Sequence, residues 1–365
     1  MSNLLKSLPR ISVLALGLPI VVYMHLTGAG GHLGLFLTCC LTILGTVTII
    51  GKSTEEFSLY TGPVWGGLLN ATFGNVTELI IALFALKAGL FDIVRSSITG
   101  SILGNLLLIL GLSMLYGGLK HQTQTFTKTG ANVNIGMLVL TIVTLVVPSF
   151  IPIINKLGLD KQLTDEVAQS LTQHASLAAA VILLSIYCLS LVFSLRTHRF
   201  LLMPQTEEKE EPEWSKVQAI VALFIATVSV AFLSDVFVEA IDGLLASYNI
   251  SKLFVGVVVV AVVGNAAEGS VAIWVARENK MDLSFQIAMG SCLQVALMVA
   301  PALVIASYFM GTPMTLEFSM FELLFLAAGV AIAGTALIDG ESNWLEGAMF
   351  LAVYLFFSLV FWFHP

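Results

Sequence analysis

The chain of 365 residues is 57% hydrophobic and only 11% charged, with a formal net charge of -7 and a mean hydropathy of +0.95. Soluble domains carry charge on about a quarter of their residues, so this chain cannot clothe a water-exposed surface and is built for a lipid bilayer. The negative balance says little about partners, because much of the acid lies in one loop and inside apolar segments; no nucleic-acid partner is expected.

A membrane-spanning helix needs about 20 mainly apolar residues. The first such run, 11–27, follows Lys6 and Arg10 in the layout of a secretion signal. It exceeds the apolar stretch of about 7–15 residues usual in such leaders, and the next apolar segment starts directly after the glycine-rich turn Gly28 to Gly31. A retained first span is expected. Further spans are read at 33–50, 64–86, 97–118, 132–153 and 175–195, and then at 215–240, 252–276, 284–309, 318–337 and 344–363. The expected fold is therefore an all-α integral membrane protein of about eleven helices. The polar stretch Lys52-Ser53-Thr54-Glu55-Glu56 is expected to continue the second helix after a kink at Gly51.

Between the sixth and seventh spans lies the most acidic segment, Thr206 to Glu213, preceded by Arg196, His198 and Arg199. It reads either as a solvated linker or as a weak cation-attracting or regulatory segment. The chain divides accordingly into an N-terminal segment with the first helix (1–31), a five-helix unit (32–200), an acidic linker (201–213) and a second five-helix unit (214–365). The loop set holding Lys6, Arg10, Lys52, Lys120, Lys128, Arg196, Arg199, Lys209, Lys216, Arg277 and Lys280 is richer in Lys and Arg than the set holding Lys87, Arg95, Lys156, Lys161 and Lys252. The richer side is cytoplasmic, which puts the N-terminus inside and the C-terminus outside.

Two stretches stand out within the spans, Gly74-Asn75-Val76-Thr77-Glu78 and Gly264-Asn265-Ala266-Ala267-Glu268. A shift of 190 positions, from Gly74 to Gly264, superposes them without a gap and also matches Gly66 with Gly256, Lys87 with Arg277, Asp92 with Asp282, Gly100 with Gly290, Ser101 with Ser291 and Leu103 with Leu293. Duplication explains such polar and glycine landmarks. Five spans per copy is an odd number, so the copies insert upside down relative to each other. Inverted repeats place equivalent residues together near the bilayer midplane, and Glu78 and Glu268 should meet there.

An ionisable residue inside a membrane span is costly and marks an ion or substrate pathway. The glycine before each Asn lets its helix lose regularity or pack closely, and freed carbonyls at membrane depth must line a cavity or be otherwise satisfied. Glu78 and Glu268 with carbonyls of Gly74 and Gly264 and water would form an all-oxygen shell suited to Ca²⁺, which takes about 6–8 such ligands. Desolvation disfavours an ionised carboxylate, while an adjacent divalent cation favours it. An empty site is then expected to hold protons and a loaded site Ca²⁺, which is the core of antiport.

Asn75, Asn265, Ser101, Asn105, Ser291 and Gln294 fall on helices expected to face the site, where they either line it or hydrogen-bond between helices. Glu55, Glu56, Asp235 and Glu239 lie near span ends and read either as solvated charges or as acidic vestibules. Cys39, Cys40, Cys188 and Cys292 lack metal spacing and read as small packing residues. The six histidines are scattered at ends and loops and receive no ligand role.

The paired Gly-Asn-x-x-Glu signatures, the central acidic loop and the eleven spans resemble the calcium/proton exchanger family of the calcium/cation antiporter superfamily over nearly the whole chain after the first span. The resemblance implies that Glu78 and Glu268 ligate Ca²⁺ and exchange protons, that carbonyls near Gly74 and Gly264 complete the shell, and that Asn75 and Asn265 gate or line it. It further implies alternating access, with two gating helices sliding against a rigid bundle, Ca²⁺ export against H⁺, and no cofactor. Gly290-Ser291-Cys292-Leu293-Gln294 departs from Gly100-Ser101-Ile102-Leu103-Gly104-Asn105 in the place of its amide, so the two helices should contribute unequally. A compact prokaryotic exchanger of the cytoplasmic membrane fits, as does a vacuolar one; a homo-oligomer is left open. The competing reading is a sodium/calcium exchanger, whose relatives carry Ser/Thr- and Pro-rich signatures where this chain has Asn. An intramembrane enzyme is disfavoured, since the chain has neither His-Glu-x-x-His nor an Asp-rich diphosphate motif.

Overall fold

The computed structural model describes residues 8–61, 63–197, 211–248 and 250–364. Lys6, His198, Arg199, Lys209 and the linker residues 201–210 lie outside the described residues. Among the described residues, nine helices are long and apolar enough to cross a membrane: α1 (Arg10–Thr27), α2 (Gly31–Leu59), α4 (Phe91–Gly118), α5 (Lys128–Lys156), α6 (Asp165–Thr197), α7 (Lys216–Ser247), α8 (Lys252–Arg277), α9 (Met281–Phe309) and α11 (Trp344–Phe363). A shorter apolar helix, α10, covers Met320–Ala336. The remaining expected span, α3, is two helices, Pro63–Gly74 and Val76–Lys87, which meet at Asn75. Every expected span thus has its helix, and the ends differ most at α2, α6 and α7, which extend past their apolar centres.

Helix α2 passes through Gly51 without a break and takes in the polar stretch to Glu56. Helix α1 lies against α2 where glycine permits it: a Cβ on Gly45 would overlap the backbone of Leu14 and Ala15, and one on Gly17 would overlap Thr42. In the same way α11 lies against α4, with Gly347 against the carbonyl of Gly111 and the backbone of Met114 and Leu115, and Gly118 against the backbone of Trp344. Small residues let helix backbones approach closely where lipid supplies no hydrophobic drive between helices.

The interior consists of two apolar clusters. One joins α2 and α7 through residues such as Ile43, Val47, Leu233 and Phe237 and takes Ile81 of α3 and Val255, Val260 and Val263 of α8. The other is built on α4, α5, α6, α9, α10 and α11, with Leu106, Leu110, Leu183, Met289, Leu297, Leu326 and Phe350 among its members. Helices α3 and α8 contribute to both, since Ala82 and Val257 belong to the second cluster. These two helices therefore stand at the junction of the clusters, and they carry the two Gly-Asn-x-x-Glu stretches.

One feature departs from an all-helical reading. Gln124–Thr125 (β1), between α4 and α5, pairs antiparallel with Glu341–Ser342 (β2), which precedes α11; the partners are Gln124 with Ser342 and Thr125 with Glu341. The pairing ties a loop of the first half to a loop of the second.

Candidate functional site

The two signature stretches have the same polar residues but different backbones. In α3 the helix stops at Gly74 and restarts at Val76, with Asn75 at φ -101°, ψ 16°. In α8 the helix Ala261–Arg277 continues through Gly264 and Asn265, so each carbonyl there meets the N–H four residues on. The irregularity of α8 lies earlier, in a π-helical turn at Val255–Val260. Of the two roles open to the glycines, loosening the helix or allowing close approach, Gly74 serves both and Gly264 the second.

The close approach is reciprocal. A Cβ on Gly74 would collide with Oε1 of Glu268, and one on Gly264 would lie 2.9 Å from Oε1 and 3.0 Å from Cγ of Glu78. Each carboxylate therefore rests on the glycine of the other stretch. The two acids lie within Coulombic reach of each other, and the Glu78 atom Oε2 is buried with no protein donor among the described residues. At membrane depth such an oxygen calls for a cation, a proton or a water.

Around the acids the six expected polar neighbours form one connected network. Asn75 donates from Nδ2 to Oε1 of Gln294 at 2.5 Å. Asn105 donates from Nδ2 to Oδ1 of Asn265 at 2.7 Å, to Oγ of Ser291 at 3.1 Å and to the Ser101 carbonyl at 3.0 Å. Asn265 donates to Oγ of Ser101 at 3.0 Å and to the Ala261 carbonyl at 2.9 Å. The Ser291 hydroxyl lies 3.1 Å from Oδ1 of Asn75 and 3.2 Å from Oδ1 of Asn265, and it also sits beside the Glu268 carboxylate. Oδ1 of Asn105 is buried and meets no protein donor among the described residues. The network crosses α3, α4, α8 and α9 and leaves one buried acceptor, Oδ1 of Asn105, unspent.

Two π-helical turns follow the network residues at matching places, Gly104–Ile109 in α4 and Val295–Val299 in α9. Such single turns are frequent at functional sites. Here each adjoins an amide of the network, Asn105 in α4 and Gln294 in α9.

The four acids at the span ends stand apart from this cluster. Glu56 is 1% exposed, pairs with Lys52 at 2.9 Å and accepts from the Trp214 amide at 3.0 Å. Tyr60 donates from its hydroxyl to the Trp214 carbonyl at 2.5 Å. Glu56 thus joins the end of the linker to α2, a bond between residues 158 apart that no local pattern could reveal. Glu55 lies exposed 3.7 Å from Lys52. Asp235 and Glu239 are exposed on α7, and Glu239 lies 3.6 Å from Nδ1 of His25. Cys39, Cys40 and Cys292 are buried, whereas Cys188 faces outward. No group of three or more His, Cys, Asp or Glu side chains is gathered for a metal among the described residues. The central cluster instead joins two carboxylates with carbonyl, hydroxyl and amide oxygens, a donor set for hard cations.

A family model described as "Sodium/calcium exchanger protein" matches residues 31–196 and 218–363. The chain is 44% identical over 331 residues to a Bacillus subtilis protein named Ca(2+)/H(+) antiporter ChaA, covering 90% of this chain and 91% of that one. It is 39% identical over 370 residues to an Aphanothece halophytica Ca(2+)/H(+) antiporter, covering 96% of each. The solved structure described as native YfkE superposes with a TM-score of 0.82 at 37% identity, covering 97% of this chain and all of that one.

Proposed function

The chain belongs to the sodium/calcium exchanger protein family, and from that membership we propose that it is a multi-pass antiporter that exchanges Ca²⁺ for H⁺ across a cytoplasmic or vacuolar membrane. The relatives of comparable length named as Ca²⁺/H⁺ antiporters support this reading. The observation that carries the mechanism is the mutual seating of Glu78 and Glu268 on Gly264 and Gly74. Two carboxylates that share one place can take a divalent cation together or protons separately, but not both at once. Ca²⁺ needs both acids ionised; protons on them remove the charge that holds it.

Glu78 and Glu268 are the Ca²⁺ and proton ligands in this mechanism. The Gly74 carbonyl, beside the helix break at Asn75, completes the shell together with the second lone pair of the Gly264 carbonyl, whose first is used within α8, and Asn75, Asn265, Ser101, Asn105, Ser291 and Gln294 orient it. The two halves act as inverted five-helix repeats, α2–α6 and α7–α11, whose site lies where they meet. With the Lys- and Arg-rich loops cytoplasmic, α8 starts outside at Lys252. The seam between α4 and the start of α8 then lies on the outer side of the site, and it is tight: a Cβ on Gly100 would overlap the Val257 backbone, and one on Gly256 would overlap Ser96. Parting of that seam, with closure on the opposite side, gives alternating access and releases Ca²⁺ outward.

Purified protein in proteoliposomes, with membrane potential clamped and sodium absent, tests the reading. Ca²⁺ uptake accompanied by proton movement in the opposite direction is expected. Ca²⁺ movement that requires sodium and ignores the pH gradient would replace it with sodium/calcium exchange.

A further inference from the structure

A cavity of about 870 Å³ opens where helix ends gather on the extracytoplasmic face, in the orientation above. Asp92 and Arg95 come from the start of α4, Lys252 from the start of α8, Glu317 and Glu322 from the start of α10, and Trp362 and Phe363 from the end of α11. Its size is that of a ligand pocket, about 300–1,000 Å³. Arg95 directly precedes Ser96, and Lys252 stands one turn before Gly256, so the cavity adjoins the outer end of the α4–α8 seam. The internal repeat does not require it. The shift that pairs Gly74 with Gly264 pairs Asp92 with Asp282 and Arg95 with Phe285. On the cytoplasmic side Phe285 stacks on Phe126 at 5.0 Å and Asp282 accepts from the Thr127 amide at 2.7 Å, so a loop packs onto the equivalent place.

The charges around the outer cavity divide into committed and uncommitted groups. Arg95 donates to Oδ1 of Asp92 at 2.7 Å and to the Thr315 carbonyl at 3.3 Å. Glu322 is buried and accepts from the Ser319 amide at 2.8 Å and the Thr99 hydroxyl at 3.2 Å. Lys252 and Glu317 are exposed, and neither forms an ion pair among the described residues. A lone phosphate would suit Lys252 but face the carboxylates of Glu317 and Glu322; a lone cation would leave Lys252 unmatched. A zwitterion with one phosphate and one ammonium matches both, through charge-assisted hydrogen bonds. The apolar wall points to a lipid rather than a free solute. Trp362 and Phe363 are exposed, as are Leu355, Phe356 and Leu359 along the same helix, so the cavity runs into a lipid-facing surface at the level where Trp residues mark the membrane interface.

We propose that this cavity binds the headgroup of a zwitterionic phospholipid of the extracytoplasmic leaflet, with the phosphate at Lys252, the ammonium at Glu317 and the acyl chains along the Trp362–Phe363 end of α11. The headgroup is of the ethanolamine type, because a primary ammonium gives the carboxylate hydrogen bonds that a quaternary one cannot. Bound there, the lipid joins α4 of the first repeat to α8, α10 and α11 of the second, beside the outer seam. The proposal needs the membrane orientation and not the identity of the exchanged ions.

The test titrates the whole purified protein in detergent with dihexanoyl-phosphatidylethanolamine, dihexanoyl-phosphatidylglycerol and O-phosphoethanolamine, reading apparent affinity from the rise in melting temperature. The wild type is expected to bind the ethanolamine lipid about fivefold more tightly than the glycerol lipid, the upper end for one exposed charge pair. Lys252→Gln should weaken both lipids by a similar factor, and Glu317→Gln should abolish the preference between them. Both side chains are exposed, so the unliganded variants should melt with the wild type. Equal affinity of the wild type for the two lipids, or undiminished affinity of Lys252→Gln for the ethanolamine lipid, would overturn the proposal. O-phosphoethanolamine binding as tightly as the lipid would overturn the lipid source in favour of a soluble phosphate ester. None of these measurements reads transport, so their failure leaves the antiport reading standing, and failure of the flux assay leaves this site standing.

Discussion

The Glu268 carboxylate lies directly on Gly74, nearly two hundred residues earlier in the chain, with no space between them for a single methyl group. The clash a side chain would cause there is with the end of a flexible glutamate, not with backbone. An alanine at Gly74 is therefore expected to fold and to push the carboxylate off its place. Gly74→Ala should weaken Ca²⁺ binding by about tenfold or more, near 1.4 kcal/mol per tenfold, with little change in thermal stability. Gly264→Ala, whose Cβ has more room, should cost less. Isothermal titration of both variants in detergent, beside their melting curves, checks the order.

Glu78→Gln and Glu268→Gln retain size and hydrogen bonding but lose the charge that a divalent cation requires. Each is expected to abolish proton-driven Ca²⁺ flux in vesicles. Each should also lose the melting-temperature rise that Ca²⁺ gives the wild type, which amounts to about 2.7 kcal/mol at a hundred times Kd. Substantial flux through either variant would remove that acid from the site.

Metal ligands must shed their protons before the metal binds, so affinity depends on pH and binding releases protons. The sign follows directly. Acidification loads the two carboxyls and weakens apparent Ca²⁺ affinity, while raising the pH strengthens it until both are ionised. Where both protons must leave, the slope should approach about two powers of ten per pH unit. Ca²⁺ titrations over a pH series, with proton release read by a buffer indicator, give the slope; a flat profile would exclude competition at shared oxygens.

Asn105 joins three residues of the polar network, with contacts to Ser101, Asn265 and Ser291. Asn105→Leu takes a partner from buried groups on three helices, and any of them left unpaired costs about 1–3 kcal/mol. A lower melting temperature and a loss of flux are expected together. If stability falls while flux per folded molecule is unchanged, the network holds the bundle but does not orient the site.

Lys52→Met leaves Glu56, buried and bonded to the Trp214 amide, as an uncompensated charge, which typically costs about 3–5 kcal/mol. The double variant Lys52→Met/Glu56→Gln keeps an acceptor for Trp214 without the charge and should recover much of that loss. Thermal unfolding in detergent ranks the three proteins.

The span pattern and the family were legible because apolar length and the twinned Gly-Asn-x-x-Glu stretches are local signals. Ca²⁺/H⁺ exchange, the activity for which the relatives are named, was expected from the same two glutamates. The backbone difference between the twins was not. Gly74-Asn75 and Gly264-Asn265 are the same dipeptide, yet only the first breaks its helix, because the neighbours packed on each decide what the dipeptide does. The π-helical turns at Gly104–Ile109 and Val295–Val299 leave no mark in hydropathy. The Glu56–Trp214 bond was hidden for another reason: it joins segments that sequence distance separates and only packing brings together. Glu56, expected to be either a solvated charge or a vestibule acid, is buried and held by Lys52 and Trp214.

The pairing of β1 with β2 and the seating of Gly347 on the backbone of α4 have a consequence for how the protein is made. A ribosome delivers α4 to the bilayer long before Trp344–Phe363 emerges, and chains fold N-terminal part first. Until then Gly111 lacks the Gly347, Phe350 and Leu351 neighbours it has in the finished fold. All the acids and amides of the site are already in the membrane by that stage, but the bundle behind them is unfinished. Completion of the last helix, rather than insertion of the site residues, is thus the step in biogenesis that finishes the packing of α4.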